Sequence, residues 1–169
     1  MWVNKKVSNI LFCDQKIKLL KCTSIFLFVP TGNHTEVYKN QHKLAVYFQK
    51  TGDKWLSDHF FNACLSTSSR VKDDEGRLAA QGHCNVGLAL EESGEYYSAA
   101  DNFELFLGLC KDKDWNMDGQ DEQMMPVACT HLWRIYTTIA KQFEKTGNLQ
   151  QNLTYLEKAY DMAEQGNLK

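Results

Sequence analysis

Apolar residues recur along most of the chain with the spacing of helices that have one buried face. Three trios with the spacing i, i+1, i+4 each precede a glycine by a few residues, and this spacing places a trio on one stripe of a helix. Apolar positions resume after each glycine in alternating steps of four and three. The pattern therefore predicts three helical hairpins between residues 36 and 165. The trios are Leu44, Ala45 and Phe48; Val86, Gly87 and Leu90; and Ile139, Ala140 and Phe143.

The glycines Gly52, Gly94 and Gly147 predict the turns of these hairpins. Glycine takes the left-handed conformation that ends many helices at no steric cost. An acidic or amide residue follows each glycine and favours the start of the next helix. We expect buried stripes on the second helices as well. These stripes are Leu56, Phe60, Ala63, Thr67 and Val71; Ala99, Phe103, Phe106 and Cys110; and Leu149, Leu153, Leu156, Tyr160 and Ala163.

The recurring hairpins resemble the tetratricopeptide repeat, whose usual unit of about 34 residues is shorter than the spacings seen here. Small residues also recur seven positions before each glycine, at Ala45, Gly87 and Ala140. The segments Tyr47–Cys64 and Cys84–Phe106 are similar to axonemal tetratricopeptide repeat proteins, which are components of motile cilia and sperm flagella. The resemblance covers about residues 38–169. It implies an all-α helical-hairpin solenoid of about three repeats.

Residues 1–35 do not follow the repeat pattern, and we interpret them as an irregular leader with no assigned fold before a repeat domain at 36–169. The chain also ends where the next hairpin of a longer array is expected, which suggests a truncated or variant form. Without a further helix, Leu153, Leu156, Tyr160 and Ala163 are expected to be partly uncovered. We therefore expect the isolated chain to self-associate.

The composition is that of a folded protein without an obvious nucleic-acid or membrane partner. Hydrophobic residues make up 43% and charged residues 24% of the chain, and the net charge is −2. The longest apolar run, Ile25–Val29, is far shorter than the roughly 18 residues of a membrane span. The six cysteines form no C-x-x-C pair, so we interpret them as reduced packing residues in a cytosolic protein.

Two motifs resemble parts of a metal site or a catalytic site, and each lacks a feature that its chemistry requires. Asp114–Gly119 matches the first half of a calcium loop, but the position of its essential glutamate is Met125. His83 adjoins Cys84, yet neighbouring residues of a helix point about 100° apart and make a poor catalytic dyad. We therefore expect no enzyme activity, no metal and no cofactor.

The remaining candidate is a binding surface on the first helix of each hairpin, along which tetratricopeptide arrays usually bind peptides. Twelve residues align in one row on these helices, and six of them are basic and one is acidic, which favours a groove for an acidic peptide. The row is Lys39, Lys43, Val46 and Lys50; Gln81, Asn85, Leu88 and Glu92; and Arg134, Thr138, Lys141 and Lys145. An ordinary solvated face is the competing interpretation. The acidic connection Asp112–Glu122 is a further possible partner site. The groove residues are Lys39, Lys43, Asn85, Arg134, Thr138 and Lys141.

The resemblance implies a non-catalytic scaffold in the cytoplasm and cytoskeleton, in the axoneme of a cilium or flagellum. Its partners are then expected to be axonemal or intraflagellar-transport proteins. The alternative is a general cytosolic tetratricopeptide adaptor that binds acidic tails of chaperones or signalling proteins. Fold alone does not decide between these functions.

Overall fold

A computed structural model describes residues 33–117 and 121–166, and the regular elements in these ranges are six α-helices. The all-α prediction is therefore confirmed. The predicted leader lies outside the described residues up to residue 32, as do Asp118 and Gly119 of the calcium-loop motif. The helices are α1 (His34–Thr51), α2 (Lys54–Ser68), α3 (Arg77–Glu92), α4 (Tyr96–Cys110), α5 (Met124–Lys145) and α6 (Leu149–Gln165).

The three predicted turns lie at the predicted glycines, which have φ values of +77°, +80° and +73°. Asp53 and Asn148 cap the helices that follow, because their side-chain oxygens accept the main-chain N–H groups of Leu56 and Gln151. α1 begins two residues earlier than predicted, at His34. Its cap is Asn33, whose Oδ1 accepts the N–H of Glu36 at 3.1 Å.

Each helix packs against the next one along the chain, so the hairpins α1–α2, α3–α4 and α5–α6 form a continuous stack. Two apolar clusters hold it together. The smaller one joins Ala45 and Phe48 of α1 to α2 and to Val86 of α3. The larger one extends from Ala80 in α3 to Ala159 in α6. Packing of this kind, in which each unit contacts only its neighbours, is typical of helical-hairpin solenoids, among them tetratricopeptide arrays.

The small residues recur where the two helices of a hairpin cross. Ala45 and Ala140 are completely buried, and a β-carbon on Gly87 would lie 2.7 Å from the ring of Phe103. On the second helices, the residue five positions after each glycine is the buried Ser57, the buried Ala99 and, in the third hairpin, the larger Asn152. Its Nδ2 donates to the main-chain oxygen of Ala140 at 2.9 Å, which satisfies the larger polar group at the crossing.

The prediction that the apolar stripe of α6 is buried is wrong. The expectation that Leu153, Leu156 and Tyr160 of this stripe are left uncovered is confirmed. Leu149 is 73% exposed and Tyr160 is 62% exposed, and Leu153 and Leu156 are exposed as well. α6 packs against α5 through an offset set of residues that centres on Ala159. No described helix covers its outer side, so four large apolar side chains of one stripe face solvent.

The third unit is longer than the others for two structural reasons. α5 begins 23 residues before its glycine, whereas α3 begins 17 residues before its own. The connection between α4 and α5 is also longer than the one between α2 and α3. It folds back over the start of α3, where Lys113 Nζ contacts Glu75 at 2.5 Å and Arg77 donates to the main-chain oxygen of Asn116 at 2.9 Å.

The four described cysteines, Cys64, Cys84, Cys110 and Cys129, are buried and free, as predicted. Burial raises the pKa of Cys64, Cys84 and Cys110 to about 12, so these thiols stay protonated. Within residues 33–117 and 121–166, no helix is long and apolar enough to cross a membrane.

Candidate peptide-binding surface

The lysines of the predicted groove lie on the solvent-facing side of their helices. Lys39 and Lys43 are one turn apart on α1, and Lys141 lies on α5. All three are exposed, and none forms an ion pair with another described residue. Their charges are therefore available to a partner.

Arg134, by contrast, already forms an ion pair within the chain. Its Nε and Nη2 donate to the two carboxylate oxygens of Glu91 at 2.7 and 2.5 Å. This bidentate pair joins α5 to α3, and such a geometry is the strongest form of ion pair between these residue types. Sequence register cannot reveal the pair, because the aligned row includes Glu92 and omits Glu91.

The two uncharged residues of the predicted groove bond within the chain. Thr138 Oγ1 donates to the main-chain oxygen of Arg134, one turn earlier on the same helix, at 2.9 Å. Asn85 is half-buried, and its Oδ1 accepts from Nε2 of Gln81 at 3.4 Å. The Nδ2 atom of Asn85 is buried and has no hydrogen-bond partner among the described residues. The amide NH2 group of Asn85 is therefore shielded from solvent.

His131 lies beside the Arg134–Glu91 pair and was not predicted as a site residue. Its ring stacks on Phe103 with 4.7 Å between centroids, and its Nδ1 is 3.0 Å from Nη2 of Arg134. Burial and the neighbouring guanidinium lower the pKa of His131 to about 4. The imidazole is therefore neutral at physiological pH, and its Nδ1 accepts the arginine hydrogen.

An open cleft of about 930 Å³ lies between α3, the start of α5 and the connection that precedes α5. Leu88 of α3, a member of the aligned row, lines the cleft together with Pro126 and Val127 of α5. The connection contributes Asp121 and Glu122 on the other side. The cleft therefore combines an apolar floor with two carboxylates. The cleft depends on the extra length of the third unit. The sequence shows this extra length but does not predict how the added residues fold.

The described residues also show the surroundings of candidate metal ligands and of the histidine–cysteine motif. No group of three or more candidate metal ligands exists in the part of the chain that is described. His83 Nδ1 lies 3.0 Å from Oδ1 of Asn102, while the adjacent Cys84 is a buried, protonated thiol. A thiolate is needed for nucleophilic attack, so the two residues do not form a reactive pair.

The fold is a stack of helical hairpins of the kind that tetratricopeptide repeats form. No protein-family model matches the chain. It is 34% identical over 136 residues to Tetratricopeptide repeat protein 29 of Mus musculus, and 32% identical over 136 residues to that of Rattus norvegicus. It is 31% identical over 134 residues to Tetratricopeptide repeat protein 29 of Homo sapiens.

These matches cover 80%, 80% and 79% of the chain, which confirms the resemblance to tetratricopeptide repeat proteins. The chain spans only 29%, 29% and 28% of the length of the respective relatives.

Proposed function

We propose that the chain is part of a non-catalytic scaffold that holds protein partners in the axoneme of motile cilia or sperm flagella. The stacked hairpins and the similarity to Tetratricopeptide repeat protein 29 support a scaffold of this type. The axonemal location rests on the similarity of Tyr47–Cys64 and Cys84–Phe106 to axonemal tetratricopeptide repeat proteins. The partners would then be axonemal or intraflagellar-transport proteins.

The observation that carries a binding role is the set of unpaired lysines on the first helices. Lys39, Lys43 and Lys141 are exposed and have no ion-pair partner among the described residues. An acidic partner segment would pair with these charges, and the attraction would weaken as salt screens them over about 10 Å near 0.1 M. Arg134 is a poorer contact, because a partner would have to displace Glu91.

The axonemal role is tested with a tagged chain in multiciliated cells. We expect the chain to remain with axonemes after detergent removes membranes and soluble cytoplasm. Complete release into the soluble fraction would contradict the axonemal role and favour the alternative of a general cytosolic adaptor.

The lysine surface is tested by cosedimentation of the purified chain with demembranated axonemes. Lys39→Glu combined with Lys43→Glu is expected to lower the bound fraction severalfold, because two attractive charges become repulsive. The matched control is Lys72→Glu combined with Lys111→Glu, which makes the same charge change at exposed residues outside the first helices. Equal losses in the two variants would argue against a specific lysine surface.

A further inference from the structure

The cleft between α3, the start of α5 and the preceding connection has the opposite charge from the lysine surface. Among its described lining residues, Asp121 and Glu122 are the only ones charged at neutral pH. Both are exposed, and neither forms an ion pair with a described residue. The start of α5 adds roughly half a positive charge from its peptide dipoles. Two full negative charges exceed this contribution, so the cleft is negative.

No described lysine or arginine forms an ion pair with either carboxylate of the cleft. Arg134 is held by both carboxylate oxygens of Glu91, and Lys113 is held by Glu75. Arg77 donates to a main-chain oxygen of the connection and is not part of the cleft lining. The carboxylates of Asp121 and Glu122 are thus left for a cation from outside the chain.

We propose that this cleft receives a lysine or arginine side chain of a protein partner, with an adjacent apolar side chain on its floor. The inference rests on the proposed scaffold function and names a class of partner segment for this part of the surface. A long basic side chain suits the site, because its methylene stem can lie along Leu88 and Val127 while its charged head reaches the carboxylates. An acidic segment would meet like charges here.

The test compares two fluorescein-labelled peptides of equal length, Leu-Lys-Leu-Lys-Leu and the uncharged Leu-Gln-Leu-Gln-Leu, by fluorescence anisotropy with the complete chain at low salt. We expect the basic peptide to bind about fivefold more tightly than the uncharged one. Similar affinities, or tighter binding of the uncharged peptide, would overturn the proposal.

A pair of variants locates the binding. Asp121→Asn with Glu122→Gln should weaken the basic peptide about fivefold, which is the size expected for two exposed ion pairs. Asp112→Asn with Asp114→Asn changes the net charge equally within the same connection, at exposed residues that do not line the cleft, and should alter affinity less than twofold. Equal effects of the two variants, or no effect of the first, would overturn the proposal. Circular dichroism of each variant verifies that helicity is unchanged.

The outcome is separate from that of the axonemal test. A chain that remains with axonemes but shows no preference for the basic peptide would remove only the cleft assignment. A chain that is absent from axonemes but prefers the basic peptide would keep the cleft and remove the axonemal role.

Discussion

Replacing Gly87 by alanine tests the close crossing of α3 and α4. The added β-carbon would lie 2.7 Å from Cε1 and 2.9 Å from Cδ1 of Phe103. The phenylalanine ring is completely buried and stacks on His131, so it has little room to move. Overpacking of this kind costs about 1–3 kcal/mol, against a gain of about 1 kcal/mol in helix propensity. We expect a net loss of roughly 1 kcal/mol.

Gly108→Ala provides the matched control, because Gly108 lies within α4 and a β-carbon there meets nothing within 4 Å. This variant should gain only the higher helix propensity of alanine, and its free energy of unfolding should rise by about 1 kcal/mol. Urea denaturation followed by circular dichroism measures both changes. The difference between the two variants isolates the steric cost, since the chemical change is the same. Equal changes in the free energy of unfolding would refute the close crossing.

A double variant identifies the partner of the clash. Phe103→Leu removes part of the ring that the new methyl group would meet, so Gly87→Ala should cost less in that background than in the original chain. A coupling of at least 0.5 kcal/mol, which is typical for residues in contact, is the expected result. Strict additivity would mean that the strain falls on some other neighbour.

Three further predictions follow from the turns, the buried imidazole and the uncovered helix. Gly94→Ala should cost about 1 kcal/mol, because alanine at a φ of +80° is strained although nothing obstructs its β-carbon; calorimetry measures the lower melting temperature. As pH falls from about 6.5 to 4, His131 takes up a proton in the unfolded state but stays neutral in the folded state, so the free energy of unfolding should fall by at most about 3 kcal/mol. Urea denaturation at several pH values measures this fall, and the part due to His131 should be absent from His131→Gln. The isolated chain should self-associate in sedimentation velocity, and Leu153→Gln with Leu156→Gln should make it monomeric, whereas Leu105→Gln on α4 should not.

The hairpins could be predicted from the sequence because each turn carries its own local signal. A glycine in the left-handed region and a capping residue after it act within a few residues, whatever the rest of the chain does. The prediction of a buried stripe on α4 is confirmed because α3 and α5 pack on the two sides of this helix and bury Ala99, Phe103 and Phe106. α6 has the same kind of apolar spacing but only one described neighbour. Periodicity marks an apolar face and does not say whether another helix covers it.

The candidate surface was harder to predict, because its electrostatics depend on pairs between distant residues. Counting charges by register treats Arg134 as a free cation, yet Glu91 on the preceding hairpin neutralises it. The two carboxylates of the cleft lie in a connection that has no counterpart in the repeat, so no register could align them with the row. The structure therefore has two surfaces of opposite charge where the sequence predicts one basic row. Exposed lysines lie on α1 and at Lys141 of α5, and an acidic cleft lies where the lengthened third unit begins. A partner that spanned both would need acidic and basic groups in separate segments, and a uniformly charged tail would be repelled at one of them.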